Sequence, residues 1–244
     1  MNRFYYDLHL HSCLSPCGDA DNTPNNVAGM ASLSGLNVVA LTDHNSSKNC
    51  PAFFAAAERY GITAIAGMEL TTSEDIHIVC LFPTLESALA FDEYVFASII
   101  PVKNRADIFG EQQILDSEDN VIGQIDNLLT VATGISVENV KEEVARFGGI
   151  CYPAHIDKMS NGIISILGTL PEALHFEAVE LHSKDNIEDY LKLYNLSDKQ
   201  VIFSSDAHYL GDIRDAENYF DLDADVHDHD SIRQQIFSLL GGKG

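Results

Sequence analysis

The chain has no tryptophan, few basic residues and only five cysteines among its 244 residues. The odd number of cysteines, with Cys80 and Cys151 inside apolar runs, argues against a disulfide framework and predicts reduced thiols in the cytoplasm. No apolar run approaches the roughly 18 residues of a membrane span, and the N-terminus lacks the pattern of a signal peptide, so no membrane partner is expected. The absence of a Gly-rich phosphate loop and of a Gly-x-Ser-x-Gly elbow leaves phosphoryl transfer from ATP and serine hydrolysis without support.

Positive charge is the scarcest feature of the composition. The chain has 37 aspartates and glutamates against 14 lysines and arginines, which gives a formal net charge of −23 at pH 7. Such a surface repels phosphate backbones and offers few cations for counterion release, so we expect no tight binding of long nucleic acid. Bound divalent ions would cancel part of this charge and let a small anion approach.

Hydrophobic runs that predict buried strands alternate with helical patterns along the chain. Strands are predicted at residues 4–10, 38–42, 63–67, 76–82, 149–153, 178–181 and 201–205, and helices at 24–34, 52–60, 85–99, 137–147, 188–194 and 231–239. This alternation is typical of an α/β fold with a parallel sheet and helices outside it. We expect one domain over residues 1–244, closed into a barrel whose site lies at the carboxyl ends of the strands. Residues 109–129 break the rhythm and predict a small inserted hairpin.

Two short motifs close the first and the last predicted strands. His9 and His11 form a His-x-His pair near the start, and Asp206 and His208 form an Asp-x-His pair about 200 residues later. Residues i and i+2 of a strand point to the same side, so each pair can hold a metal ion from two positions. A lone His-x-His pair is more simply a chance or core pair, but two such pairs at strand ends indicate a metal site.

Further histidines and acids lie at the ends of the predicted strands or in the loops that follow them. These residues are Asp19, Asp43, His44, Glu69, His77, His155 and His182. An unpaired carboxylate at the position of Glu69, beside an apolar strand, would cost several kcal/mol if buried, which a nearby cation would offset. Imidazole and carboxylate ligands together suit zinc, manganese or iron. We expect Asp7 and Asp43 to orient neighbouring histidines rather than bind metal directly.

The set of motifs resembles the polymerase and histidinol phosphatase (PHP) family of metal-dependent phosphoesterases. The matching segments are His9-x-His11, Thr42-Asp43-His44, Glu69 with His77, His155, and Ser205-Asp206-Ala207-His208, and they follow the order found in that family. The resemblance implies a distorted (β/α)7, TIM-like barrel that holds two or three divalent metal ions (Mn, Zn or Fe).

The resemblance also implies how the ligands are shared among the ions. One ion would be held by His9, His11, Glu69 and Asp206, and a second by Glu69, His77 and His155. The third would be held by His44, His208 and a residue of the loop after His11, for which we predict Asp19, with Cys17 as the alternative. Asp206, His208 and His44 are the predicted catalytic residues, and His182 and Lys184 are predicted to bind the substrate phosphate.

The activity that the resemblance implies is hydrolysis of a small phosphomonoester by a metal-activated hydroxide. The expected substrate is a 3′,5′-bisphosphate, a mononucleotide or the 5′ end of a short oligonucleotide, with histidinol phosphate as an alternative. Two other hypotheses are compatible with the sequence: a catalytically silent metal-binding module, and a metal-dependent hydrolase of C–N bonds. The Asp206-x-His208 pair and Thr42-Asp43-His44 favour phosphoester cleavage over the latter.

Overall fold

A curled sheet of mixed parallel and antiparallel strands, with helices on its outer side, forms the body of the protein, in a computed structural model that describes residues 1–185 and 187–241. The strands are β1 (Asn2–Leu10), β2 (Val38–Leu41), β3 (Thr63–Thr71), β4 (His77–Phe82), β5 (Gln113–Leu115), β6 (Val121–Gln124), β7 (Ile150–Pro153), β8 (Ala178–Leu181), β9 (Gln200–Phe203) and β10 (Tyr219–Leu222). The helices are α1 (Pro24–Leu33), α2 (Cys50–Tyr60), α3 (Leu85–Phe96), α4 (Ala106–Phe109), α5 (Val140–Arg146), α6 (Ile163–Leu167), α7 (Ile187–Leu193) and α8 (His229–Leu240). None of the helices in the described ranges is both long and apolar enough to cross a membrane.

The strands pair in the order β10-β1-β2-β3-β4-β7, with β8-β9 and β5-β6 as separate pairs. Backbone hydrogen bonds connect the six-stranded sheet to the β8-β9 pair at two places. Asp206 N–H donates to the His9 carbonyl at 3.0 Å, and Ile156 N–H donates to the Glu180 carbonyl at 2.9 Å. These bonds bring the carboxyl ends of β1 and β9 side by side. All seven predicted main strands are present, and the α/β, TIM-like fold class is confirmed, whereas the count of seven β/α units stays a prediction.

The expectation of a purely parallel sheet is wrong at β4, which runs antiparallel to both β3 and β7. Only residues 72–76 separate β3 from β4, and a connection this short can only form a hairpin, since parallel strands need a long crossover. The reversal places the first residue of β4, His77, opposite Thr71 at the carboxyl end of β3. The sequence patterns also missed β10, which pairs antiparallel with β1.

Side chains alternate between two apolar layers, and this alternation aims the polar residues. The outer layer lies between the sheet and the helices, and the inner layer lies on the concave side and includes Ile232 and Ile236 of α8. A register shift in β1 between Asp7 and Leu10 moves Leu10 into the outer layer, whereas the earlier Leu8 belongs to the inner one. A bulge of this kind re-aims side chains. It turns His9 and His11 toward the concave mouth.

The predicted hairpin is present as β5 and β6, and it packs beside the loop that follows β1. Asn49 connects the two regions, because its amide donates to the Ser12 hydroxyl at 2.9 Å and to the Gln113 carbonyl at 3.1 Å. At the hairpin turn, Asp119 accepts a hydrogen bond from the Thr23 hydroxyl at 2.7 Å. The insertion therefore lies on the mouth side of the sheet.

Candidate metal centre

Glu69 is the centre of a cluster of histidines at the mouth of the curled sheet. It lies on β3 on the concave side and is fully buried. Its carboxylate oxygens lie 2.8–3.3 Å from nitrogens of five imidazoles, those of His9, His11, His44, His77 and His155. Four separate strand ends supply these rings, so the fold converges on one carboxylate.

Three overlapping groups of ligand atoms lie in this cluster, each with all its atoms within 4.8 Å of one another. The groups are His9–His11–Glu69–Asp206, His44–Glu69–His77 and His11–His44–His208. The first is the set that the family resemblance implied for one ion. His155 does not belong to these groups, but its Nε2 lies 3.0 Å from Glu69 Oε1. The geometry thus brings together every predicted metal-binding residue except Asp19.

Hydrogen bonds on the far side of three rings fix which nitrogen faces the centre. His9 Nδ1 lies 2.9 Å from the carboxylate of Glu180, and His208 Nδ1 lies 2.9 Å from the Asp206 carbonyl. His11 Nδ1 lies 2.9 Å from the hydroxyl of Ser15. Carboxylate and carbonyl oxygens only accept hydrogen bonds, so Nδ1 of His9 and of His208 carries the proton, and the Nε2 lone pair is left for a metal ion.

The predicted supporting acids act in two different ways. Asp43 accepts hydrogen bonds from the hydroxyls of Ser12 at 2.6 Å and of Ser15 at 2.7 Å. Since the Ser15 proton goes to Asp43, Ser15 can only accept from His11, and Asp43 orients that ring through it. Asp7 instead accepts from backbone N–H groups of His9 and Ser205, each at 3.2 Å. Its contacts hold the backbones of the two motifs together.

The charges of the cluster compensate one another in the metal-free protein. Burial alone would raise the pKa of Glu69, but the surrounding imidazoles outweigh it and hold that pKa well below its usual range. Burial alone would lower the pKa of His11, but the carboxylates of Asp206 and Glu69 raise it to about 9. For His44 the same opposition, with Glu69 as the main partner, gives a pKa of about 9. Burial together with the charge on His11 lowers the pKa of His208 to about 3.

Several buried atoms that face the centre have no hydrogen-bond partner within the described part of the chain. They are Nε2 of His9, Nε2 of His11, Nδ1 of His44, Oε2 of Glu69 and Oδ1 of Asp206. Buried polar atoms are nearly always satisfied, so five of them pointing into one space indicate a missing partner. A divalent cation accepts lone pairs from both nitrogen and oxygen, and this donor set suits zinc, manganese or iron. The residues therefore fit the predicted metal ions.

The loop predicted to complete the third ion site brings two candidates to different places. The Asp19 backbone N–H donates to the His208 carbonyl at 2.9 Å, but the Asp19 carboxylate accepts a hydrogen bond from the Asp21 N–H at 2.8 Å. The exposed Cys17 thiol interacts with the His44 ring and is one of the causes that raise its pKa. Asp19 therefore stays a prediction, whereas the thiol of Cys17, the alternative, contacts a histidine of the cluster.

Basic side chains beside Asp206 were missed by the sequence patterns. The Lys158 ammonium donates to Asp206 Oδ2 at 2.6 Å, and Arg214 Nη2 lies 3.4 Å from both ring nitrogens of His182. Burial, together with the charges of Lys158 and Arg214, lowers the pKa of His182. Lys184, predicted to bind substrate, forms an exposed ion pair with Glu217 at 3.2 Å. Neither Lys158 nor Arg214 lies in a motif, so no sequence signal distinguished them from surface residues.

A cleft of about 140 Å³ opens over the cluster. Its lining consists of His44, Glu69, His77, His155, Lys158, Ser160, Asn161, Asp206 and His208. This space is many times larger than the roughly 10–15 Å³ of probe space that one water molecule needs. The cleft is therefore the size of a small polyatomic group, and it combines metal-type ligands with one ammonium group.

Several known proteins are similar to this chain in sequence or in fold. The model of the PHP domain family matches residues 7–195. A 5′-3′ exoribonuclease of Haemophilus influenzae is 38% identical over 79 residues, which are 31% of this chain and 28% of that protein. A lesion-specific endonuclease from Pyrococcus furiosus has a TM-score of 0.67 at 20% identity, over 100% of this chain and 57% of the other. A proposed metal-dependent phosphoesterase from Bifidobacterium adolescentis has a TM-score of 0.61 at 18% identity, over 94% of each chain.

Because their sequence identities to this chain are low, the two solved structures show a similarity of fold only. The chain spans less than a third of the exoribonuclease and little more than half of the endonuclease. The family match, by contrast, extends over most of the chain and includes His9, His11, Glu69 and His155. On this match, and on the convergence of its histidines at Glu69, the chain belongs to the PHP domain family of metal-dependent phosphoesterases, which are hydrolases of phosphoester bonds.

Proposed function

We propose that this protein hydrolyses a small phosphomonoester, namely a nucleotide such as a 3′,5′-bisphosphate or mononucleotide, or the 5′ end of a short oligonucleotide. The observation that carries this proposal is the set of unpartnered, buried nitrogen and oxygen atoms that face one another around Glu69. They would hold two or three divalent ions in the ligand groups described above. When bound, such ions supply positive charge and acidify water, so that hydroxide is available near neutral pH.

The protein's own side chains would divide the remaining work. Asp206 offers Oδ1 to the cluster while its Oδ2 accepts from Lys158, so it joins the metal ligands to a cationic group. Lys158 is about one-third exposed at the cleft, where its ammonium can donate to a phosphoryl oxygen. His182 and Arg214, close behind Lys158, would bind a more distant anionic part of the substrate. His44 and His208 would hold the third ion and act as catalytic residues with Asp206.

The size of the cleft and the net charge favour a substrate that enters by one end. The cleft of about 140 Å³ has room for a phosphoryl group beside the ligand atoms and Lys158. A net charge of −23 disfavours tight binding of a long polyanion. The structure of endonuclease Q with a 27-mer duplex that bears an abasic lesion has a TM-score of 0.63 to this chain. Cleavage of such a duplex would be the opposite of the small-substrate preference proposed for this protein. A preference for small substrates and a cytoplasmic location are both part of the proposal. The five free thiols support the cytoplasmic location.

A substrate panel tests the proposal. Purified protein loaded with Mn²⁺ is incubated with a 3′,5′-bisphosphate, a mononucleotide, a 5′-phosphorylated trinucleotide, histidinol phosphate and a duplex with an abasic site, and released phosphate or cleaved strand is measured. We expect turnover of the nucleotide substrates, none of the duplex, and no turnover by Asp206→Asn. Turnover of histidinol phosphate alone would transfer the activity to the alternative substrate. Bound metal without any turnover would instead establish a silent metal-binding module.

A further inference from the structure

Glu180 is a buried acid that lies directly behind the metal centre. It occupies the third position of β8, on the concave side, and is 1% exposed. One oxygen, Oε1, accepts from His9 Nδ1 at 2.9 Å and from the backbone N–H of His155 at 3.1 Å. The same atom therefore holds two predicted ligands that lie about 145 residues apart in the sequence.

We propose that Glu180 is a positioning residue that prepares His9 and His155 for metal binding. A carboxylate can only accept, so the proton of His9 stays on Nδ1 and the Nε2 lone pair is directed at the centre. That Nε2 lies 3.3 Å from Glu69 Oε1 and 3.4 Å from Asp206 Oδ1, in the space of the first ligand group. Without Glu180, the ring could adopt the other tautomer or rotate away, and its metal affinity would fall.

The backbone of His155 gives the second half of this role. Its φ angle is 28°, in a region that residues other than glycine rarely adopt. Such a conformation is strained and persists only where the surroundings hold it. The hydrogen bond from its N–H to Glu180 is one such restraint, and in this conformation His155 Nε2 lies 3.0 Å from Glu69 Oε1. Glu180 thus aligns a ligand on each side of Glu69.

A purely structural role would explain a buried acid equally well if its contacts were to the scaffold. Instead, both side-chain hydrogen bonds of Glu180 go to predicted ligands, and its Oε2 has no partner among residues 1–185 and 187–241. An isolated buried charge would be costly, and the His9 ring and the His155 N–H offset that cost here. Glu180 therefore serves the ligands more directly than it serves the fold.

The inference rests on the proposed metal site, and Zn²⁺ affinity tests it without reference to turnover. Zn²⁺ is titrated into the metal-free protein in competition with a chromophoric chelator. Glu180→Gln keeps the volume but loses the charge, and we expect its affinity to fall about 10- to 100-fold, as for other groups that orient metal ligands. Glu177→Gln is the matched control, because Glu177 precedes the same strand and is half exposed in an ion pair with Lys141. Its affinity should equal that of the wild type.

A spectroscopic measurement separates positioning from stability. In protein labelled with ¹⁵N-histidine, His9 should show a slowly exchanging Nδ1–H resonance with and without Zn²⁺, and this proton should exchange faster in Glu180→Gln. The role of Glu180 would be overturned if the wild type and Glu180→Gln bound Zn²⁺ equally well. It would also be overturned if the Nδ1–H resonance of His9 were unchanged in the variant. Failure of the wild type to bind Zn²⁺ would overturn the proposed function itself, so the two failures are distinguishable.

Discussion

Replacing Glu69 by glutamine should remove most of the stability that the protein gains from metal ions. Glu69 belongs to two of the three ligand groups, and its oxygens lie within 3.3 Å of five imidazole nitrogens. Glutamine preserves the shape of the side chain, so packing against β2 and β4 is retained. Its amide, however, provides one neutral acceptor where the carboxylate provides two charged oxygens.

The size of the effect follows from mass action. A ligand present at 100 times its Kd stabilises the folded state by about 2.7 kcal/mol. Partners that only orient metal ligands cost up to about 100-fold in affinity, so we expect at least this loss for Glu69 itself. At the same Mn²⁺ concentration the gain then falls to about 0.4 kcal/mol. For a chain of this length, 1 kcal/mol corresponds to about 2–4 °C in Tm, so the metal-induced rise in Tm should fall from about 5–11 °C to about 1–2 °C.

Differential scanning fluorimetry with EDTA and with excess Mn²⁺ measures this difference. Glu138→Gln is the control, since Glu138 is exposed and outside the cluster. It should show the full metal-induced rise. If Glu69→Gln gained as much from Mn²⁺ as the wild type, metal binding would not involve Glu69, and the reasoning that places the ions around it would be refuted.

Three further predictions concern turnover, substrate affinity and pH. Asp206→Asn should lower kcat at least about a thousandfold with unchanged circular dichroism, because several kcal/mol of charge stabilisation depend on its carboxylate; near-normal kcat would remove Asp206 from the site. Lys158→Ala should raise KM about tenfold, the loss of one charged hydrogen bond, and more than Lys184→Ala does; equal effects would contradict the placement of Lys158. In EDTA, urea unfolding should show that the contribution of His11 and His44 to the free energy of unfolding is complete just below pH 6.5 and is lost as the pH rises through 9, because the pKa of both is raised to about 9. With Mn²⁺ the stability should instead rise over that window, since metal ions compete with protons; parallel profiles would contradict the assignment.

Much of the fold and of the site could be predicted because strand ends carry a strong local signal. Each main strand contains an apolar run, and polar motifs lie at or near the strand ends, as at Glu69 in the last part of β3 and at His155 after β7. The direction of β4 was predicted wrongly because β3 was expected to end at residue 67, whereas it continues to Thr71 and leaves a connection that is long enough only for a hairpin. The re-aiming of His9 by the β1 bulge likewise depends on pairing with β2, which the sequence of β1 alone does not specify.

Residues that support the site were harder to predict than the ligands themselves. Glu180 alternates with apolar neighbours in β8, so its sequence context is the same as that of any inward strand residue. Lys158 lies in the loop after β7, and its contact with Asp206 depends on how residues 154–162 fold over the mouth. A carboxylate or an ammonium acquires such a role only through tertiary contacts between distant segments. Sequence spacing therefore indicates the chemistry of the centre but not what orients it.

Anomalous diffraction from crystals grown with Mn²⁺ tests most directly whether ions gather at Glu69. We expect at least two anomalous peaks within bonding distance of Glu69, one of them also within bonding distance of His9, His11 and Asp206. Crystals of Glu69→Gln grown in the same way should lose these peaks. A map of the wild-type protein without anomalous density in contact with Glu69, at saturating Mn²⁺, would contradict the account.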